Sequence, residues 1–359
     1  MGPDALFLLL SLAAPLCAGG AAGLFFWMLR HSEREAGVWA LLLGNALLLL
    51  VLLSLAFAGL EAHYRWGYDT TDVWNRSRVS KRWFERYWVR NGDGVRDNVE
   101  YPRARSPGVP RITFLGDSFT TAHGVRDVED RFANRIRAER PEWQVHIFAR
   151  NGFNTVEEID EVRHITAEGY ELDTVVLVYC HNDIDTHIPE FQQLYRKVDV
   201  PPDSLTYLLR HSYAADFYYQ RWRLSQIVLQ SGVQHHELRS AAYTGRTWNS
   251  MAYNLELLAN DVWTRGGRFA VVTFPWMQML LAGRDDLPMH ATLDAFWREL
   301  GVPHLDLLPP FRRQPVRELV VNSRDTHPNE RAHGLASRAI LRFLEEDVLL
   351  LEPGRPADD

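Results

Sequence analysis

The chain has 359 residues, enough for one full hydrophobic core with additional segments. Its formal net charge of −7 gives no reason to expect nucleic acid as a partner, since acidic residues interrupt the basic ones of residues 74–105 and favour a solvated face. Cys17 lies in an apolar run and Cys180 at the end of a predicted strand, and we expect no disulfide between them.

The first sixty residues differ from the rest of the chain. Residues 5–29 carry no charge, and neither do residues 37–60. A helix needs about 20 residues to cross the hydrocarbon core of a bilayer, so each run is long enough. Joined by the short polar connection RHSEREA (residues 30–36), the two runs predict a transmembrane hairpin over residues 1–60 and the membrane as a partner.

Two other interpretations of this region are less favoured. The opening residues MGPD lack the positive charge of a signal peptide, and Leu16 precedes Cys17 where a lipoprotein signal has a small residue. Two buried helices of a soluble core are the second alternative. Such long uncharged runs, side by side, favour membrane spans instead.

The orientation of the hairpin follows from its flanking arginines. Arg30 and Arg34 favour a cytoplasmic connection, because Lys and Arg resist translocation. Arg65, Arg76 and Arg78 follow the second span and favour the opposite. We expect a multi-pass protein of the cell membrane whose main domain is extracytoplasmic.

The remainder predicts an α/β domain. Residues 61–108 are interpreted as a juxtamembrane segment, residues 109–350 as the domain and residues 351–359 as a tail. The strand candidates are Ile112–Leu115, Val145–Ala149, Thr174–Tyr179, Phe269–Phe274 and His304–Leu307, and they alternate with the amphipathic stretches Asp130–Glu139, Val156–Glu168 and Trp248–Arg265. This alternation predicts a three-layer α/β/α sandwich around a central parallel sheet of about five strands.

The interval between the third and fourth strands is too long for one crossover. Residues 187–247 contain SLTYLLRHSYAADFYYQRWRLSQIVLQ, an apolar and aromatic stretch that predicts a helical insertion. A lid over the site, a dimer contact, a surface resting on the membrane and simple packing are all compatible with it.

Polar residues and glycines follow the first three strands, at the edge where parallel sheets bind ligands. Ser118 in Gly116-Asp117-Ser118 would open onto the cleft, although a serine there equally serves as a helix cap. Gly152 would let its N–H approach a ligand, or it is an ordinary turn glycine. Asn182 would present an amide donor, although Asn-Asp is also common in turns.

A candidate base lies near the carboxyl end, in Asp325-Thr326-His327-Pro328-Asn329. Histidine is the side chain best suited to take a proton from serine near neutral pH. The Asp325 carboxylate would hold the imidazole of His327 in the right tautomer. Four motifs that each follow their expected strand or loop favour a catalytic site.

Other histidines are interpreted as structural. His123 is expected to pack or cap near the first helix, and His181 to lie in the cleft wall or a turn. The pair His235-His236 predicts no metal site, because adjacent histidines point apart on a helix.

These motifs resemble those of the SGNH, or GDSL-type, hydrolase superfamily, from about Arg111 to about Phe343. The sequence GDSF matches the first block of the family. The positions that match block by block are Ser118, Gly152, Asn182 and His327, with His333 where the family often has a further histidine.

The resemblance implies a flavodoxin-like fold and a serine hydrolase acting on acyl esters. Ser118 would attack the carbonyl, with His327 as general base and then acid, assisted by Asp325. The N–H groups of Ser118 and Gly152 and the Asn182 amide would form the oxyanion hole. Such a scheme needs no cofactor and no metal.

The chain departs from the family at three places. The usual last block, Asp-Xaa-Xaa-His, would put the acid at Arg324, so either Asp325 or a main-chain carbonyl is left to orient the imidazole. Cys180 stands at the glycine of the third block, and Ala332 replaces the glycine before His333.

Three functions are compatible with these observations. The favoured one is a membrane-anchored esterase or deacylase that removes acyl groups, acetyl among them, from a carbohydrate or lipid. An O-acyltransferase with the same acyl-serine intermediate is the second. A non-catalytic membrane-tethered binding module is the third, and loss of the Ser, Asn or His would favour it, yet all three are present.

Overall fold

A computed structural model describes residues 3–32, 37–72, 75–198, 205–231, 235–284 and 287–350. Residues 33–36 of the predicted connection, residues 199–204 and 232–234 of the predicted insertion, and the predicted tail lie outside the described residues. The chain divides into two compact units. The first comprises Met1–Thr70, Trp74–Trp83 and Val198–Val228, and the second comprises Thr71–Val73, Phe84–Lys197 and Leu229–Asp359.

Two long apolar helices begin the first unit. They are α1 (Pro3–Arg30) and α2 (Val38–Ala62), which a short π-helical turn continues to Gly67. An added Cβ at Gly44 would lie 3.2 Å from the rings of Phe25 and Phe26, so this glycine sits where the two helices meet. Each helix is long and apolar enough to cross a membrane.

The end of α2 packs against part of the predicted insertion. Helices α7 (Thr206–His211) and α8 (Tyr213–Ser231) come from this insertion, and α3 (Arg78–Tyr87) precedes the sheet. The Glu61 carboxylate accepts a hydrogen bond from Ser212 Oγ at 2.7 Å and one from the Ala214 N–H at 3.1 Å, so it caps the start of α8. The rings of Tyr64 and Phe217 lie 4.2 Å apart within the same unit. Packing is therefore one role of the insertion.

A parallel sheet forms the centre of the second unit. Its strands are β1 (Arg111–Gly116), β2 (Gln144–Ala149), β3 (Thr174–Cys180), β4 (Arg268–Phe274) and β5 (His304–Asp306), in the order β2-β1-β3-β4-β5. All four pairings are parallel. The predicted fold class is confirmed, and each strand lies within one residue of its predicted bounds.

Helices connect and follow these strands. They are α4 (Phe132–Glu139), α5 (Thr155–Ala167), α6 (Pro189–Val198), α9 (His235–Ala242), α10 (Gly245–Trp263), α11 (Met277–Leu281), α12 (Leu287–Glu299), α13 (Leu308–Arg312) and α14 (Glu330–Phe343). Every residue of β3 is buried, as its unbroken apolar run predicts for a central strand. Helix α4 packs against α14, and α5 against α10.

The sheet order brings the carboxyl ends of β1, β2 and β3 to one edge. Gly116, the last residue of β1, pairs with Ala149 of β2 and Val178 of β3. An added Cβ at Gly116 would lie 2.9 Å from the Val178 carbonyl oxygen and closer still to Thr120. A glycine is therefore required where the chain leaves β1 and turns toward Ser118.

Candidate active site

Folding brings Ser118 and His327 together although they are 209 positions apart. Ser118 lies in the turn that follows β1, and His327 lies in the loop before α14. The distance between Ser118 Oγ and His327 Nε2 is 2.8 Å, and both residues are more than nine-tenths buried. A serine hydroxyl thus faces an imidazole nitrogen across one hydrogen bond.

The second ring nitrogen of His327 faces Asp325. His327 Nδ1 lies 2.5 Å from Asp325 Oδ1, which also accepts the main-chain N–H of His327 at 3.2 Å. Asp325 is fully buried. Burial alone would raise the pKa of its carboxyl, but the charge of His327 and hydrogen bonds from His123 and His327 hold that pKa well below its usual range. The carboxylate is therefore ionised beside the imidazole.

The conformation of the loop around Asp325 lets its side chain reach the His327 ring although the two residues are only two positions apart. Asn322 Oδ1 accepts the N–H groups of Arg324 and Asp325, each at 2.8 Å. The Asn329 side chain caps α14 by accepting the N–H of Arg331 at 3.0 Å, while its own amide donates to main-chain carbonyls of the loop. Two asparagines thus hold both ends of the loop, and the Asp325 side chain meets the ring directly.

Asn182 is linked to Ser118 by way of the Asp117 side chain. Asn182 Nδ2 donates to Asp117 Oδ2 at 3.0 Å, and the same oxygen lies 3.4 Å from Ser118 Oγ. Burial raises the pKa of Asp117, although the bond from Asn182 opposes that rise. An amide has two N–H groups, so this bond leaves one for another acceptor.

Gly152 lies in the loop after β2, where its φ is +84°. The Arg150 N–H donates to the Gly116 carbonyl at 3.2 Å and so ties this loop to the turn that carries Ser118. Within the part of the chain that the structure describes, the main-chain N–H groups of Ser118 and Gly152 donate to no acceptor. Both are free to bind a ligand.

His123, interpreted from the sequence as a packing or capping residue, lies at Asp325. His123 Nε2 is 3.4 Å from Asp325 Oδ2, and its ring stacks on that of His327 at 4.2 Å. Thr71 Oγ1 donates to the same carboxylate oxygen. The motifs point to neither residue, since Thr71 lies 254 positions before Asp325 and His123 belongs to no matched block.

Burial raises the pKa of three carboxyl groups in the second unit. They belong to Asp117, Glu158 and Asp183, each fully buried. Burial raises the pKa of Glu158, as does the charge of Asp117; the pKa of Asp183 is raised by burial and then by Glu158 and Asp117. Neither carboxylate oxygen of Glu158 has a hydrogen-bond partner among the described residues. Burial thus opposes the ionisation of each of these three groups.

His123, Asp325 and His327 also form the one group among the described residues whose ligand atoms are close enough for a metal ion, within 4.8 Å of one another. The arrangement fits a metal poorly. The two imidazole planes are only 26° apart and stack face to face, so their nitrogen lone pairs do not converge. Both Asp325 oxygens already accept hydrogen bonds.

Two other histidines that the sequence singled out are packed elsewhere. The ring of His181 is fully buried against His290, with centroids 4.4 Å apart. His333 stacks on Phe132 and is likewise buried. Neither contacts Ser118 or Asp325.

A parallel α/β sheet with a Ser-His-Asp hydrogen-bonded chain beyond its strands is the arrangement that serine hydrolases use on several folds. No family model and no curated protein matches this chain. Solved structures do match, and among them are a lipolytic protein of the G-D-S-L family, an acylhydrolase and an esterase.

Three of these structures illustrate the likeness. A member of the lipolytic G-D-S-L family from Veillonella parvula is 14% identical, with a TM-score of 0.43 over 66% of this chain and 100% of its own. An extracellular lipase from Streptomyces rimosus is 12% identical, with a TM-score of 0.40 over 66% of this chain and 99% of its own. A two-domain esterase active on acetylated mannans is 16% identical, with a TM-score of 0.36 over 69% of this chain and 52% of its own. The first is of the G-D-S-L type that the motifs resemble, but at these identities and TM-scores the activities of the three proteins do not transfer to this chain.

Proposed function

We propose that this protein is an SGNH-type serine hydrolase that cleaves acyl esters through an acyl-serine intermediate. The observation that carries the proposal is the hydrogen-bonded chain from Ser118 Oγ through His327 to the Asp325 carboxylate, with distances of 2.8 and 2.5 Å. A hydroxyl, an imidazole and an ionised carboxylate in this order are what nucleophilic attack by serine requires.

In this mechanism His327 Nε2 takes the proton of Ser118 as Oγ attacks the ester carbonyl carbon. The imidazolium then returns this proton to the leaving alkoxide, so an alcohol departs and Ser118 carries the acyl group. Water attacks the acyl-serine next and gives a proton to His327. As the bond from the acyl carbon to Oγ breaks, the imidazolium returns this proton to Oγ, so the carboxylic acid leaves and Ser118 and neutral His327 are restored. Asp325 stabilises the imidazolium in both halves and remains ionised.

The oxyanion that forms on the carbonyl needs donors aimed at it. The Ser118 and Gly152 N–H groups, which have no acceptor among the described residues, and the second N–H of Asn182 would serve this role. One such donor typically stabilises the transition state by about 3 kcal/mol.

Membrane anchoring is part of the proposal. Helices α1 and α2 have the length and apolarity of spans, and many of their leucines, such as Leu16 and Leu52, are exposed. Exposed leucine along a whole helix is costly in water and favourable in lipid. We infer that the hairpin anchors the protein in the cell membrane with the catalytic unit outside the cytoplasm, where an acyl ester of a carbohydrate or lipid would be the substrate.

The proposal is tested on the full chain in detergent. The wild type should hydrolyse p-nitrophenyl acetate and be labelled at Ser118 by an alkyl fluorophosphonate, and Ser118→Ala should lose both. Ser106→Ala is the matched control, because Ser106 is exposed and its side chain contacts Gln144, away from His327 and Asp325. A wild type that neither turns over nor is labelled, or that is labelled at another serine, would contradict the proposal.

Two further measurements address the finer points. Adding candidate sugar acceptors shows whether water or a sugar hydroxyl takes the acyl group, and formation of a sugar ester in place of acid would make the protein an O-acyltransferase. Labelling Asp358→Cys in intact cells with an impermeant maleimide, in a Cys17→Ser background, tests the orientation. Protection of residue 358 until the membrane is permeabilised would place the carboxyl terminus in the cytoplasm and refute the extracytoplasmic assignment.

A further inference from the structure

The Asp325 carboxylate is held on both of its oxygens. Oδ1 faces His327, whereas Oδ2 accepts from Thr71 Oγ1 and lies 3.4 Å from His123 Nε2. Because the orientation of a carboxylate depends on the partners of both oxygens, the second set of contacts determines how Asp325 presents the first to the imidazole.

We propose that His123 is a positioning residue that holds Asp325 and, through Asn151, ties this acid to the loop carrying Gly152. This inference rests on the proposed hydrolase function of Ser118. It assigns a role to a histidine that lies in none of the matched motifs.

The neighbours of His123 assign its tautomer. Nε2 faces two acceptors, the Asp325 carboxylate at 3.4 Å and the Asp72 carbonyl at 3.1 Å, so Nε2 must carry the proton. Nδ1 must then accept, and Asn151 Nδ2 lies 3.1 Å from it. The oxygen of Asn151 in turn accepts from Thr121 Oγ1 at 2.5 Å. Each donor in the chain of contacts from Thr121 through Asn151 and His123 to Asp325 faces an acceptor only with this tautomer of His123 and this rotation of the Asn151 amide.

A neutral His123 suits its place against the base. Its ring stacks on that of His327 with centroids 4.2 Å apart and planes 26° apart, and Phe84 packs edge-on at 5.1 Å. Burial lowers the pKa of His123, as does the charge of His327. The stack therefore fixes the plane of the His327 ring without adding a second positive charge when the imidazolium forms.

The backbone before His123 is strained and firmly braced. Ala122 is buried and has φ of +60°, a conformation that costs a non-glycine residue about 1 kcal/mol. The buried Arg96 guanidinium donates to the carbonyls of Thr121 and Ala122, at 3.0 and 2.6 Å. Such strain persists only where the surroundings determine the conformation, and here it aims the His123 ring at Asp325.

The chain of contacts joins two parts of the proposed mechanism. Asn151 directly precedes Gly152, whose N–H would bind the oxyanion, and Asp325 supports the base. A shift of His123 would therefore disturb both the proton transfer and the donor loop. Because neither contact binds the ground-state ester, the effect should fall on kcat and leave KM nearly unchanged.

The test compares two substitutions in the full chain. His123→Phe keeps an aromatic ring for stacking and removes the polar contacts with Asp325, Asp72 and Asn151. We expect kcat for p-nitrophenyl acetate to fall about 10- to 100-fold with KM little changed. His123→Gln retains an N–H donor and should recover part of the loss. The rate of fluorophosphonate labelling at Ser118 should follow the same order. His146→Phe, which replaces another buried histidine stacked on an aromatic ring, should leave kcat unchanged.

The outcomes separate the two proposals. An inactive, unlabelled wild type overturns the hydrolase assignment itself. An active wild type with the same kcat in His123→Phe overturns the role of His123, as do equal kcat values in the Phe and Gln variants. Should His123→Phe fail to fold, Asn151→Ala replaces it, because Asn151 is exposed and the change removes its bonds to His123 Nδ1 and Thr121 Oγ1 while the His123 ring is kept. A several-fold lower kcat at unchanged Tm supports the inference, and an unchanged kcat overturns it.

Discussion

The amide of Asn182 donates to the carboxylate of Asp117 at 3.0 Å, on the residue that directly precedes Ser118. This bond fixes the rotation of the amide, since Asp117 is an acceptor and must face the nitrogen. The remaining N–H is thereby held in a single direction before any substrate binds. A preorganised donor is worth more than one that must reorient during the reaction.

If Asn182 donates to the oxyanion as proposed, Asn182→Ala should lower kcat about 100- to 1,000-fold through the loss of that donor. The Tm should change little, since Asn182 is only partly buried. Steady-state kinetics with p-nitrophenyl acetate and a thermal melt measure the two quantities. Retention of full kcat would exclude Asn182 from the oxyanion hole.

The acid is tested by Asp325→Asn, which keeps the shape of the side chain and removes its charge. We expect kcat to fall by about 10⁴, because an amide no longer stabilises the imidazolium of His327. Asp306→Asn is the control. Asp306 contacts His290 Nδ1 at 3.0 Å, so this substitution also removes the charge of an aspartate beside a histidine, at another place in the chain. Comparable losses in both variants would show a general effect of such pairs and not a catalytic one.

The buried carboxyl of Glu158 predicts how stability depends on pH. Its pKa is raised in the folded state by burial and by the charge of Asp117, so the folded protein holds a proton that the unfolded chain releases. This contribution is present below the unfolded pKa, about 4.3, and is lost as pH rises toward the folded pKa. The free energy of unfolding should thus decline by up to about 1.4 kcal/mol per pH unit in this window.

Glu158→Gln removes this titrating group, so we expect a smaller decline of Tm between mildly acidic and mildly alkaline pH than in the wild type. Asp117 and Asp183 remain, and a residual slope is expected from them. Asp160→Asn, at an exposed position of the same helix, serves as the control. Identical pH profiles of Tm for the wild type and Glu158→Gln would show that Glu158 ionises normally.

The tight turn after β1 predicts that a side chain at Gly116 would clash and destabilise the protein. In Gly116→Ala the new Cβ would lie 2.9 Å from the Val178 carbonyl oxygen and would also strike Thr120. We expect a loss of about 1–3 kcal/mol in the free energy of unfolding, measured by denaturant titration. Gly169→Ala provides the comparison, because its φ of +89° is strained but nothing lies within 4 Å of its Cβ. Gly116→Ala should be the more destabilising of the two.

Much of the fold was predictable because its signals are local. The β-branched run at Thr174–Cys180 and the glycine that ends β1 depend on neighbours in the chain, and the structure has both where the pattern indicates. Two features were not predictable. Glu61 caps α8 across 151 positions, and Thr71 reaches Asp325 across 254, through contacts that leave no periodicity.

The amino-acid sequence by itself determined the two apolar helices and the five parallel strands. It also determined the order in which Ser118, Gly152, Asn182 and His327 follow the strands. These depend on which residues are apolar and where turns fall, and both are short-range properties. Only the tertiary structure decided that Asp325 meets His327, that His123 lies on the far oxygen of the same carboxylate and that Asn182 is held by Asp117. A hydrogen bond depends on distances of a few tenths of an ångström, and packing of the whole core determines those distances.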